Sequence, residues 1–235
     1  MPNQRWTIKG APDDSGGDFD TYLALPDGDG PWPGVVVIQE IFGINAVMRE
    51  VCDRLAGEGF IASCPDLFWR LEPGIELTDR TPEEWKEALG YMNRFDFDRG
   101  MEDIQATISQ LRGRDDCTGK VGAVGYCMGG HLALLAATRT DADAAVGYYG
   151  VNLQARLGET IARPLMLHIA QDDSYTPPEA RDQVIAALKD HPLVTLHVYE
   201  GRDHAFARPG GEHFHAEDAA TANRRTADFF RRRLS

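Results

Sequence analysis

Short apolar runs alternate with amphipathic stretches along this chain, and the alternation predicts its secondary structure. The run at 35–38 is continuously β-branched, as expected of a strand that is buried on both faces. Apolar residues then recur from Met48 to Leu55 at the i, i+3, i+4 and i+7 spacing of one helix face. The pattern predicts strands at 6–8, 22–25, 35–38, 60–62, 120–125, 144–149, 165–170 and 194–199. It predicts helices at 48–55, 82–93, 98–112, 128–138, 178–189 and 216–232. Strands that alternate with helices favour an α/β fold with a mostly parallel central sheet and helices on both faces.

The length of the chain and its turn-forming residues indicate how many domains to expect and where loops lie. A chain of 235 residues with one continuous alternation of strands and helices fits a single domain over residues 1–235. The segment from Asp13 to Asp18 is rich in Asp and Gly and predicts a turn between the first two strands. Segment 67–100 carries more charge, together with Trp69 and Trp85, and is a candidate cap that faces the substrate.

A sharp turn between a strand and a helix is predicted at Gly125-Tyr126-Cys127-Met128-Gly129-Gly130. The spacing matches G-x-S-x-G, the nucleophile elbow of α/β-hydrolases, with cysteine in place of serine. The glycines on both sides of Cys127 let the strand and the helix approach closely around a strained residue. The helix N-terminus below the side chain carries partial positive charge and unpaired N–H groups, which favour a thiolate. The motif therefore predicts acyl transfer through a thioester on Cys127.

The carboxyl ends of later strands bring an acid and a base to the edge of the sheet where ligands bind. Asp172 and Asp173 follow strand 165–170, and His204 follows strand 194–199. Nucleophile, acid and histidine therefore come in the chain order of α/β-hydrolases. We expect His204 to act as general base and Asp173 to fix its tautomer, with Asp172 as the alternative acid.

Two further groups are expected at the same edge. The backbone N–H of Met128, next after the nucleophile, and that of Ile41, in the loop after strand 35–38, would form an oxyanion hole. Strand 144–149 ends at Tyr148 and Tyr149. Tyr148 is therefore a candidate substrate-binding residue.

Composition and charge narrow the class of partner. The formal net charge of −13 argues against nucleic acid and against an anionic membrane surface. No apolar run approaches the roughly 18 residues of a transmembrane helix, and the N-terminal residues lack the apolar core of a secretory signal. The four cysteines are scattered, so we expect reduced thiols and a cytoplasmic protein. His213 and His215 are too weak a pattern to predict a metal site, and the oligomeric state stays open.

With these pieces in place, the chain resembles the dienelactone hydrolase (carboxymethylenebutenolidase) family over nearly its whole length. The matching pieces include Gln-Glu-Ile-Phe-Gly at 39–43, Cys-Pro-Asp-Leu at 64–67, the elbow at 125–130, Gly-Tyr-Tyr-Gly at 147–150 and His-Ala-Phe-Ala-Arg at 204–208. The resemblance implies a triad of Cys127, His204 and Asp173. It also implies that Glu40 contacts the resting thiol and helps to remove its proton. Arg208 would bind a substrate carboxylate, for which a guanidinium fork is well suited.

The chain departs from the family pattern at one place. The family uses a second carboxylate-binding arginine with a tyrosine four residues later, and an ungapped comparison places Trp85 and Leu89 there. Arg70, Arg94 or Tyr91 are the candidates to replace that pair. The resemblance therefore implies intact catalytic residues and an altered substrate selectivity.

Leaving-group chemistry narrows the expected substrate independently. A thiol has a reference pKa of about 8.5, whereas an alkoxide is as poor a leaving group as hydroxide, at roughly 15.7. A thiolate that attacks an alkyl ester is therefore mostly expelled again, whereas a delocalised enol competes as leaving group. We expect a hydrolase of a small, anionic enol-lactone or activated carboxylic ester that needs no cofactor. The alternatives are a non-catalytic binder of a small carboxylate and a redox sensor that uses Cys127.

Overall fold

The secondary structure follows the predicted alternation closely in the computed structural model, which describes residues 4–10 and 17–235. The strands are β1 (Gln4–Ile8), β2 (Phe19–Ala24), β3 (Trp32–Ile38), β4 (Ile61–Pro65), β5 (Cys117–Tyr126), β6 (Ala144–Tyr148), β7 (Leu165–Ala170) and β8 (Val194–Tyr199). The helices are α1 (Ala46–Gly57), α2 (Pro82–Arg94), α3 (Phe97–Arg112), α4 (Met128–Arg139), α5 (Pro178–Leu188) and α6 (Ala216–Arg233). Every predicted strand and helix is present, and the 3₁₀ helix Leu153–Arg156 is an addition. The turn predicted at 13–18 lies mostly outside the described residues.

The sheet confirms the predicted α/β class. Among the described residues, eight strands lie in the order β1-β2-β4-β3-β5-β6-β7-β8. The strand pairs β1–β2 and β2–β4 are antiparallel, whereas β3–β4, β6–β7 and β7–β8 are parallel. Because parallel neighbours end at the same edge, the loops that follow β6, β7 and β8 are neighbours in space.

The chain divides into two compact units, Met1–Gly122 and Ala123–Ser235. In the first unit, short polar side chains start the helices. Asn45 accepts a hydrogen bond from the backbone N–H of Met48 at the start of α1, and Thr81 caps α2 in the same way. The face of α1 that the spacing predicted is buried. The expectation of one domain over the whole chain stays a prediction.

In the second unit, α4 is buried from 128 to 137, and His131 is the polar residue in that otherwise apolar stretch. It packs on β6, and α6 packs on β6 and β7. Acidic residues begin α6 and three arginines end it, as the helix dipole favours. Among the described residues, no helix is both long enough and apolar enough to cross a membrane.

A close approach of α4 to β6 fixes the start of that helix. A Cβ atom on Gly130 would lie 2.6 Å from the carbonyl oxygen of Tyr148 and 2.7 Å from the Cα of Gly150. Gly147 is equally confined, because a Cβ atom there would lie 2.9 Å from the carbonyl oxygen of Gly130. Glycine on both sides is therefore what lets the helix lie directly against the strand.

Gly130→Ala tests this close approach. By helix propensity alone the substitution would stabilise the protein by about 1 kcal/mol. We instead expect a net destabilisation of about 1–3 kcal/mol, because the methyl group overlaps the backbone of β6. Denaturant titration measures the free energy of unfolding. Gly158→Ala is the control, since its methyl group would meet no atom within 4 Å. Equal effects of the two substitutions would contradict the packing argument.

Candidate active site

Cys127 occupies a strained turn between β5 and α4. Its backbone has φ 56° and ψ −115°, which a non-glycine residue rarely adopts. Its N–H donates to the carbonyl of Tyr148 at 3.1 Å, and its carbonyl accepts from the N–H of Gly130 at 2.9 Å. Cys127 is 7% exposed. Next to it, Met128 is the first residue of α4, so its N–H belongs to the unpaired end of a helix.

The structure brings Asp173, His204 and Cys127 together within the second unit. Nδ1 of His204 lies 2.9 Å from Oδ2 of Asp173, and both side chains are about 95% buried or more. The side chain of Cys127 lies close enough to His204 to interact with its imidazole. Asp172 is exposed, and its backbone N–H donates to the carbonyl of Arg202. Of the two candidate acids, Asp173 is therefore the one that contacts the histidine.

Opposing effects set the protonation of His204. Burial lowers its pKa, but the charge interaction with Cys127 and the hydrogen bond to Asp173 outweigh burial and raise the pKa to about 10. The arrangement therefore places beside the thiol of Cys127 an imidazole that an acid holds in one orientation.

Asp203 joins the two loops that carry the acid and the histidine. Its Oδ1 accepts from the N–H of Ser174 at 2.7 Å and from the N–H of His204 at 2.6 Å. Burial raises the pKa of Asp203, but these backbone donors outweigh burial, and the pKa is lowered. Asp203 was not among the predicted site residues, although its position directly before His204 was a usable signal.

Two tyrosine rings make edge contacts with the imidazole of His204. The ring of Tyr149 lies 5.1 Å from it and that of Tyr175 lies 4.9 Å from it, centroid to centroid. Tyr149 is buried, whereas Tyr175 is 53% exposed and is therefore the ring at the entrance. Tyr175 was not among the predicted site residues, and its place two residues after Asp173 is the signal in the sequence that points to it.

The two predicted substrate-binding residues differ in their surroundings. Arg208 is buried to 7% exposure, close enough to Tyr175 for its charge to act on that phenol. Tyr148 is fully buried, and its hydroxyl lies 2.6 Å from Oγ1 of Thr226 and 3.1 Å from Oδ1 of Asn223. These contacts tie Tyr148 to α6, so its hydroxyl is occupied within the protein.

Glu40 and Ile41 belong to the first unit, directly after β3. Both are almost fully buried, at 1% and 3% exposure. The neighbouring Gln39 holds this loop, since its Oε1 accepts from the N–H of Leu67 at 3.1 Å. The roles of Glu40 and of the Ile41 N–H stay predictions.

The three residues considered as replacements for the second carboxylate-binding pair already have partners within the first unit. Arg70 forms a two-pronged ion pair with the buried Asp103. Tyr91 donates to Glu72 at 2.5 Å, and Arg94 lies over the ring of Tyr91.

Trp85 and Leu89, which stand at the positions of the family's second arginine and its tyrosine, are uncharged. The indole N–H of Trp85 donates to the carbonyl of Asp79 at 3.0 Å, and Leu89 is exposed. The cap role predicted for segment 67–100 stays a prediction.

His213 and His215, for which no metal site was predicted, lie directly before α6. Nδ1 of His215 accepts from the N–H of Asp218 and caps the helix, while His213 lies 3.6 Å from Asp203. Within 4–10 and 17–235, no three His, Cys, Asp or Glu side chains are grouped so that they could hold a metal ion.

Comparison with known proteins identifies the family. Residues 19–234 match the model of the dienelactone hydrolase family. A relative from Azospirillum brasilense, provisionally named carboxymethylenebutenolidase, is 48% identical over 230 residues, which cover 93% of this chain and 95% of the relative. Carboxymethylenebutenolidase from Pseudomonas sp. strain P51 is 39% identical over 219 residues, which cover 92% of this chain and 91% of that protein.

A solved structure agrees with these relatives. The crystal structure of a Klebsiella pneumoniae protein, provisionally described as a dienelactone hydrolase, matches with a TM-score of 0.81 and 25% identity. The match covers 98% of this chain and 99% of that one. The chain therefore has the α/β-hydrolase fold and belongs to the dienelactone hydrolase family of lactone and ester hydrolases.

Proposed function

We propose that this protein hydrolyses an enol-lactone or a similarly activated carboxylic ester through a thioester on Cys127. The observation that carries the proposal is the chain of side-chain contacts from Cys127 to His204 to Asp173 at a strained elbow. The proposed nucleophile then contacts the base, and the base contacts the acid that orients it, as covalent acyl transfer requires.

The first half of the reaction forms the acyl-enzyme. The sulfur of Cys127 attacks the carbonyl carbon, a C–S bond forms, and the carbonyl electron pair moves to oxygen. The N–H of Met128 stabilises that oxyanion, and the N–H of Ile41 is proposed as the second donor. The C–O bond of the ester then breaks, and the enol oxygen leaves with the proton that His204 donates.

The second half releases the acid. His204, now neutral, takes a proton from water, and the hydroxide attacks the thioester carbon. The C–S bond breaks, the carboxylic acid leaves, and the thiolate of Cys127 returns beside the protonated His204. Asp173 keeps Nδ1 of the imidazole protonated throughout, which leaves Nε2 for both proton transfers.

The proposal for Glu40 rests on the family resemblance. As the resemblance implies, Glu40 would contact the thiol of Cys127 in the resting enzyme and help to move its proton to His204 when substrate enters, which would limit the time for which a free thiolate is exposed to oxidants. The four cysteines carry free thiols, which fits the proposed reducing, cytoplasmic location.

The charge around the entrance supports an anionic substrate with a single recognised carboxylate. Arg208 is buried next to the ring at the entrance, where a guanidinium fork can bind a carboxylate bidentately. Arg70 and Arg94 already have partners in the first unit. We propose Arg208 as the main carboxylate-binding residue because it stands at the family's carboxylate-binding position and lies near Tyr175.

Cys127→Ala tests the nucleophile. We expect the rate of hydrolysis of a cis-dienelactone and of a neutral enol ester to fall by about 10³-fold or more, with no change in the folded state. Cys117→Ala is the control, because Cys117 lies at the start of β5, away from the elbow. Steady-state assays would include an alkyl ester, which we expect wild type to hydrolyse slowly if at all.

Turnover that survives Cys127→Ala would refute the assignment. A wild-type protein that hydrolyses none of the three substrates, but whose Cys127 is modified by peroxide, would instead support the redox alternative.

Asp173→Asn tests the coupling of the acid to His204. The raised pKa of His204 adds stability that is fully present below about pH 6.5 and is lost as pH rises towards its folded value of about 10. We therefore expect the difference in unfolding free energy between wild type and variant to be largest near pH 6 and to shrink towards pH 10. Activity is expected to fall by about 10⁴-fold.

Asp172→Asn is the matched control, since it removes the same charge one residue away. Two results would contradict the assignment of Asp173 as the acid. One is a difference in unfolding free energy that does not vary with pH, and the other is a larger loss of activity in Asp172→Asn than in Asp173→Asn.

Arg208→Gln tests substrate recognition. We expect KM for an anionic lactone to rise by about 10- to 100-fold, the value of one or two charge-assisted hydrogen bonds, while KM for a neutral enol ester stays nearly constant. Arg224→Gln, on the exposed surface of α6, controls for the loss of one positive charge. An equal rise in KM for both substrates would argue against a carboxylate site.

A further inference from the structure

We propose a second, non-catalytic ligand site in the second unit that binds a small organic polycarboxylate. A cavity of about 310 Å³ opens between the last turns of α6 and strands β7 and β8. Its wall includes Arg225, Arg232, Arg233, His197, Phe229 and Met166. This volume is in the range of sites for small molecules.

The arginines of this wall lie on one face of α6. Arg225, Phe229 and Arg232 follow at i, i+4 and i+7, and Arg233 is adjacent, so three guanidinium groups border one cavity. The dipole of the helix accounts for cations near its end. It does not account for their convergence on a cavity in a protein whose net charge is −13.

These guanidinium groups have no carboxylate partner among the described residues. Arg225 donates to the hydroxyl of Tyr199 at 3.2 Å, and Arg233 lies over the ring of Phe229. Asp228 also lines the cavity, but its carboxylate lies 3.1 Å from Arg231, outside the wall. The positive charge of the cavity is therefore only partly balanced.

The pKa values of two histidines beside the cavity are lowered, in part by this positive charge. Burial and the charge of Arg225 both lower the pKa of His197. Burial, His197 and Arg225 lower the pKa of the fully buried His168. An anion in the cavity would offset the charge that both histidines now experience.

The chemistry of the wall selects the class of ligand. Three guanidinium forks along one face of α6 suit two or more carboxylate groups, each bound bidentately. Phe229 and Met166 add an apolar floor for a carbon skeleton. A cavity of this size holds a di- or tricarboxylate of a few carbon atoms.

Citrate is the probe for this site. Isothermal titration at constant ionic strength is expected to show saturable binding of one citrate per chain to wild type, with acetate as the monocarboxylate control. Arg232→Gln is expected to weaken citrate binding by about tenfold, the value of one charge-assisted hydrogen bond at a partly exposed site. Arg224→Gln makes the same charge change on the same helix, but Arg224 does not line the cavity, so binding should persist.

Arg208→Gln separates this site from the catalytic one. Citrate binding that survives Arg208→Gln and falls in Arg232→Gln supports the proposal, whether or not the protein hydrolyses lactones. Three results would overturn it: no saturable binding to wild type, equal weakening by Arg232→Gln and Arg224→Gln, or loss of binding in Arg208→Gln alone.

Discussion

The strained backbone of Cys127 is the constraint on which the proposed chemistry depends. A non-glycine residue at φ 56° costs about 1–3 kcal/mol, and the surrounding contacts must hold it there. The N–H of Cys127 is fixed to Tyr148 of β6, and Gly125 and Gly129 meet so closely that a Cβ atom on Gly125 would lie 1.8 Å from the carbonyl oxygen of Gly129. These contacts therefore place the sulfur at the N-terminus of α4, where backbone N–H groups have no partner within the helix.

A second set of contacts determines where the base lies. Asp203 fastens the histidine loop to the acid loop through two backbone N–H groups. Behind them, Oγ1 of Thr226 contacts both the hydroxyl of Tyr148 and Nε2 of His168, which joins α6 to β6 and β7. Buried polar groups that have their hydrogen-bond partners favour a single packing arrangement. This network therefore holds α6 in one position against β6 and β7.

The fold could be predicted from the sequence because buried strands and amphipathic helices leave periodic signals. The elbow was equally visible, since the glycines around Cys127 have a steric purpose. The orientation of side chains within a loop left no such signal. Asp172 and Asp173 are adjacent in sequence, and only the loop backbone decides that Asp173 turns inward to His204 while Asp172 faces solvent.

Tyr148 illustrates the same limit inside a strand. The sequence placed it correctly at the carboxyl end of β6, but the strand ends there, and Tyr149 follows with a left-handed backbone of φ 37°. The hydroxyl of Tyr148 contacts α6, whereas the ring of Tyr149 contacts His204. Asp203 and Tyr175 were missed for a related reason, because their importance arises from contacts between separate loops.

The ion pair of Arg70 and Asp103 argues for a limit on how many carboxylates the enzyme recognises. Asp103 is 1% exposed, and burial raises its pKa even though hydrogen bonds from Arg70 and Trp69 act in the opposite direction. If Arg70 turned away to bind a substrate, it would leave a buried carboxylate without its cation, at a cost of about 3–5 kcal/mol. One charge-assisted hydrogen bond to a substrate returns only about 1.5–3 kcal/mol. Arg70 is therefore held in place by the fold, and a substrate with a second carboxylate gains little from it.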